Sequence, residues 1–217
     1  MHFEVLVEDQ SGGKALEILL PKMIDHQHTF KIHTYNGIGR IPKKSSGKFD
    51  PKKRSLLNQL PQLLRGYGKT FSDYPNDCPA AVIVVCDLDD KCLKAFHKEL
   101  LTVLNACNPK PETRFCLAIE EGEAWFLGDI AAIKQAYPNA KEAVLKGYKN
   151  DAICGTWERL ADAVFSGGAK ALVKQRATGT EKFAWAEKIT PHMNVDNNCS
   201  ESFCYFRDKV RELAGSV

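Results

Sequence analysis

Apolar positions in the first half of the chain gather into four short runs, each closed by a polar turn. His2–Glu8, Thr29–Thr34, Ala80–Cys86 and Thr113–Ile119 read as strands. The third run, Ala80-Ala81-Val82-Ile83-Val84-Val85-Cys86, is almost continuously apolar, the mark of a parallel strand buried on both faces. Between the strands the period lengthens to that of a helix. Leu16, Leu19, Leu20 and Met23 predict a helix over about Gly13–Met23. Leu56, Leu57, Leu60, Leu63 and Leu64 predict another to about Arg65, with Pro51 at its first turn. A third opens at Asp87-Leu88-Asp89-Asp90 and runs through Leu104. Tyr35–Asp50, with Gly37, Gly39, Pro42 and Gly47, reads as a loop.

This β-α alternation predicts an α/β doubly wound, mainly parallel sheet. From about Tyr137 the strand signal stops. Helical segments are predicted at Trp157–Phe165, Glu181–Ile189 and Glu201–Leu213, separated by Gly167-Gly168 and Pro191. The expected organisation is an α/β core over 1–136, with a helical C-terminal extension, 137–217, packed on it as part of one domain.

Composition narrows the class. The 217 residues are 44% hydrophobic and 26% charged, ordinary for a globular protein. No stretch approaches the roughly 18 apolar residues of a membrane helix, and the first residues run straight into a strand. A cytoplasmic protein is expected, with no membrane partner. The eight cysteines sit largely in elements predicted to be buried, which favours reduced thiols over a disulfide framework. No Cys-x-x-Cys pair is present, and Cys199 and Cys204 lack a second ligand pair for zinc.

Net charge is only +3, but its distribution is uneven. Arg40, Lys43, Lys44, Lys48, Lys52, Lys53 and Arg54 form a basic stripe against the single acid Asp50, with Lys31, Arg65 and Lys69 on either side. Such a stripe is either a solvated surface or a track for a phosphate backbone of DNA or RNA.

Candidate chemistry sits at the strand ends. Glu8 closes the first strand, and Asp87 and Asp89 close the third. Ligands of open parallel sheets gather outside the carboxyl ends of the strands. If these two strands are neighbours, three carboxylates converge, and such a cluster repels itself unless a hard cation such as Mg²⁺ neutralises it. In an extended Asp-x-Asp both side chains face the same side and can share an ion. The plainer alternative is that these acids cap turns. Glu120 and Glu123 follow the fourth strand and could join the same cleft, or could complement a helix dipole. Gly66-Tyr67-Gly68-Lys69-Thr70 mimics the end of a phosphate-binding loop, but Leu63 stands where glycine is required, and the segment follows a helix. His26, His28 and His33 read as surface polar residues.

Val7-Glu8 before a small polar turn and helix, together with Val84-Val85-Cys86-Asp87-Leu88-Asp89, resembles the Toprim domain of topoisomerases, primases and overcoming-lysogenization-defect nucleases. Ala118-Ile119-Glu120-Glu121-Gly122-Glu123-Ala124-Trp125-Phe126-Leu127-Gly128-Asp129, Thr156-Trp157-Glu158-Arg159-Leu160, Phe183–Ile189 and Pro191-His192-Met193 are similar to a small bacterial Toprim-like family. Its members are often encoded beside ATPases in phage-defence clusters.

The resemblance implies a Toprim-like fold and a Mg²⁺- or Mn²⁺-dependent nuclease or phosphoryl-transfer enzyme acting on DNA or RNA. A partner ATPase follows by family analogy alone. Glu8 would be a general acid/base or metal ligand, Asp87 and Asp89 metal ligands, and Glu120 or Glu123 part of a second metal position. Lys14 and Lys182 are candidates for charge stabilisation on a phosphate. Many Toprim-like nucleases carry a further acid at the head of the first helix. Here that stretch is Ser11-Gly12-Gly13-Lys14, leaving Asp9 or Glu17 to stand in. The rival reading is a non-catalytic Toprim-fold module that binds nucleic acid or a partner ATPase.

Overall fold

The structure, a computed structural model, describes residues 1–42, 54–75, 77–153 and 155–215. Four strands, β1 (His2–Val7), β2 (Thr29–Thr34), β3 (Ala80–Asp87) and β4 (Thr113–Ala118), form one sheet in the order β2-β1-β3-β4. All neighbouring pairs are parallel. The α/β sheet flanked by helices is consistent with a Toprim-like doubly wound fold.

Among the described residues the helices are α1 (Gln10–Leu19), α2 (Leu56–Ser72), α3 (Leu93–Asn105), α4 (Glu123–Leu127), α5 (Ile130–Ala136), α6 (Glu142–Lys146), α7 (Thr156–Val164), α8 (Gly168–Lys174), α9 (Thr178–Ile189) and α10 (Glu201–Ala214). From β1 the chain winds outward to β2, then returns past β1 to β3 and continues to β4. With right-handed crossovers, this reversal sends α1 to one face and α2 and α3 to the other.

The two cores follow that division. Phe3, Val5, Val7, Ala81, Ile83 and Val85 face α1 and the C-terminal helices. Leu6, Val82, Val84 and Cys86 face α2 and α3. The alternation is the two-residue period of strands buried on both sides. Leu160, Trp185, Phe203 and Phe206 of the C-terminal helices share the first core with the sheet. The Trp125 ring of α4 stacks on Phe206 of α10 at 5.0 Å between centroids. Its indole N–H donates to Ser202 Oγ at 3.1 Å.

Several boundaries differ from the sequence expectation. α1 starts three residues early, because Asp9 caps it by accepting from the Gly12 N–H at 2.7 Å. α2 starts later, at Leu56, and continues past Arg65 through Gly66 and Gly68 to Ser72. The phosphate-loop look-alike therefore lies inside a helix. Pro51 lies outside the described residues. His33 is not a plain surface residue, since its Nε2 lies 2.5 Å from Glu4 Oε2. All cysteines among the described residues are free thiols, with Cys86, Cys107 and Cys116 buried. No helix among the described residues is long and apolar enough to cross a membrane.

Candidate functional site

β1 and β3 are the strands at which the winding direction reverses, and a crevice opens at their carboxyl ends. Val7 pairs with Val85 in register, so Glu8 leaves β1 beside the last residue of β3. The Asp87 N–H donates to Glu8 Oε2 at 3.0 Å. Neighbouring strands thus deliver two carboxylates to one point.

A third comes from α4, whose first residue, Glu123, is only 4% exposed. α4 follows β4 after a short turn and is pinned from below by Trp125. Against these acids stands Lys182 of α9, with Nζ 3.2 Å from Glu123 Oε2 and 3.4 Å from Glu121 Oε1. Its ammonium also lies 6.0 Å from the centre of the Trp157 ring. Glu8, Asp9, Asp87, Gly122, Glu123 and Lys182 line a cavity of about 50 Å³. Drug-sized ligands and cofactors need roughly 300 Å³ or more. This space suits a small ion and a water or two.

The electrostatics follow from enclosure and like charge. Burial lifts the Glu8 carboxyl to about 7; the Asp87 N–H opposes the shift, and the charges of Asp9 and Asp89 add to it. Burial, then Glu8 and Glu123, hold Asp87 well above the usual carboxylate range. Glu121 rises to about 7, mainly through burial and against the pull of Lys182. Glu123 is raised in the same way. Burial disfavours the Lys182 ammonium, but Glu123, Glu121 and Asp87 outweigh it and keep the group protonated.

Two expected site residues do not line the cavity. β3 ends at Asp87, and the backbone at Asp89 has φ +50°. The chain is therefore not extended through Asp-x-Asp, and the shared side is lost. The Asp89 carboxylate pairs instead with Lys91 Nζ at 2.6 Å. Glu120 also has positive φ, +60°. Its carboxylate accepts from the N–H groups of Gly155 at 3.0 Å and Thr156 at 2.9 Å, and from the Thr156 hydroxyl. It caps α7 and does not line the cavity.

Glu121 was not singled out from sequence as a site residue, yet it reaches Lys182 and accepts from the Trp157 N–H at 3.3 Å. Lys14 pairs with Glu17 and Glu187, each at 3.9 Å, away from the cavity. Of the basic stripe, Arg40 and Arg54 are exposed, whereas Lys43, Lys44, Lys48, Lys52 and Lys53 lie outside the described residues. The loop after β2 starts beside the site, with the Gly37 N–H donating to the Glu8 carbonyl at 2.8 Å.

Among the described residues, no group of three or more His, Cys, Asp and Glu side chains is already arranged as metal ligands. Glu123 is drawn to Lys182 instead. The donor set nevertheless fits a hard divalent cation: all-oxygen, enclosed, and richer in negative than in positive charge. Glu8 and Asp87 could hold the ion directly, and Glu123 could on release from Lys182.

A family model described as a domain of unknown function, DUF4276, matches residues 7–214. The chain belongs to the DUF4276 family. Comparisons with curated proteins and with solved structures give no match. The DUF4276 match spans both the strand-end acids and Lys182, so the whole cluster falls inside one family domain. No Toprim family model matches the chain.

Proposed function

We propose that the protein is a divalent-metal-dependent phosphodiesterase of the Toprim type, a nuclease acting on DNA or RNA. The observation that carries this reading is the meeting of Glu8 and Asp87 at the winding reversal, in an enclosure with too little positive charge to neutralise them. Bound there, Mg²⁺ or Mn²⁺ would supply Lewis-acid stabilisation of the phosphate oxygens and activation of water.

The protein's own groups do the rest. Asp87 supplies ligand oxygens and, through its N–H, fixes one oxygen of Glu8. The other Glu8 oxygen would either sit on the ion or exchange a proton with the attacking water or the leaving oxygen. Arg40 and Arg54, both exposed, would neutralise backbone phosphates on the flank of the site where the loop after β2 starts beside Glu8.

The test is cleavage of plasmid, linear and single-stranded DNA and of RNA with Mg²⁺ or Mn²⁺, comparing wild type with Asp87→Asn. The expected result is metal-dependent cutting that falls by roughly a hundredfold or more in the variant. Absence of cutting, with salt-sensitive nucleic-acid binding that ignores EDTA, would replace the enzyme by a binding module.

A further inference from the structure

We infer that Lys182 occupies the place of a second cation and limits the acidic site to one divalent ion per chain. This rests on the reading of the cluster as a divalent-metal centre and specifies how that centre is loaded.

The cluster divides into two unequal halves. Glu121 and Glu123 share the Lys182 ammonium, at 3.4 and 3.2 Å. Glu8 and Asp87, joined through the Asp87 N–H at 3.0 Å, have no Lys, Arg or His partner within ion-pair distance among the described residues. One half already holds a cation supplied by the chain. The other lacks one.

Lys182 is also held in place from several sides. Its side chain is 18% exposed and lies near the Trp157 ring. It projects from a helix anchored in the main core by Trp185, Ala186 and Ile189. α9 packs against α1, whose N-terminal end adjoins Glu8. An ion pair enclosed in this way is costly to break on one side, because the partner is left as an unpaired buried charge. A second metal ion would have to displace this ammonium from Glu123. The stronger local demand for positive charge lies on Glu8 and Asp87, where a single ion would bind.

The experiment is a calorimetric Mn²⁺ titration of the full-length wild type and of Lys182→Met, which keeps most of the stem and removes the charge. Glu121→Gln serves as a second variant, loosening Lys182 without removing a proposed ligand. The expected stoichiometries are one ion for wild type, two for Lys182→Met and one for Glu121→Gln. Two ions in wild type would overturn the inference, whatever the folding of the variants. One ion in a Lys182→Met protein that melts cooperatively would overturn it as well, while leaving the metal-centre reading intact. No Mn²⁺ bound by any of the three would overturn that reading and this inference with it.

Discussion

At the scale of single residues, the decisive feature is a carboxyl held near neutrality by enclosure. The folded Glu8 carboxyl lies at about 7 against an ordinary value of 4.5. Between those values the folded state binds more protons than the unfolded chain, so stability falls as pH rises through that window and levels off above it. Glu121 acts in the same direction. In EDTA, the melting temperature of wild type relative to Glu8→Gln is expected to drop between pH 5 and pH 7.5. Glu8→Gln should gain roughly 0.5–2 kcal/mol at the upper end; parallel melting curves for the two proteins would remove Glu8 as the buried titrating group. Glu8 and Asp87 were legible in the sequence because a strand that ends on an acid leaves it at the carboxyl edge of the sheet. The shared side expected for Asp87 and Asp89 fails because a spacing argument assumes extended backbone, and φ +50° at Asp89 breaks it. Lys182 entered only through the family likeness, and its pairing with Glu121, 61 residues away, has no local signature.

At the scale of elements, carboxylates and glycines do structural work that resembles chemistry when read from sequence. Glu120 satisfies the N–H groups that open α7, and removing it strands them. Glu120→Ala is expected to cost about 1–3 kcal/mol in urea unfolding and to leave Mn²⁺ affinity unchanged. A loss of metal binding in that variant would return Glu120 to the site. Gly13 lets α1 lie close to β2, since a Cβ there would come within 2.4 Å of Thr34 Cγ2. Gly13→Ala should destabilise by about 1–3 kcal/mol through overpacking, read by the same unfolding curves. Gly68 explains why the second helix outran its expected end. A Cβ there would meet the Pro109 carbonyl oxygen at 2.0 Å, so the glycine marks a close approach and not a stop. The four strands were legible because each carries its own apolar run. α5, α6 and α8, at seven, five and seven residues, are too short to display a helical period.

At the scale of the whole molecule, the two halves of the chain build one site and share the core on one face of the sheet. The strands bring Glu8 and Asp87, while the C-terminal half brings Lys182 and the donors that hold Glu120 and Glu121. α10 packs along β4 and reaches α4 through the Trp125–Phe206 stack, so the helix bearing Glu123 is braced from the far end of the chain. Cutting after residue 136 would strip Leu160, Trp185, Phe203 and Phe206 from the core on the sheet face formed by Phe3, Val5, Val7, Ala81, Ile83 and Val85, leaving α1 and the segment through α5 to cover only part of it. An exposed apolar face of that extent cannot offset the entropy of ordering the strands beneath it. The 1–136 fragment is therefore expected to lack a cooperative melt and to bind hydrophobic dye. The full chain should unfold in one transition monitored by both Trp fluorescence and far-UV circular dichroism. A fragment that melts cooperatively and still binds Mn²⁺ would separate the halves and reduce the C-terminal helices to an accessory. The coupling through Trp125 and Lys182 argues the opposite: the acids of the strands need the helical half to hold their geometry.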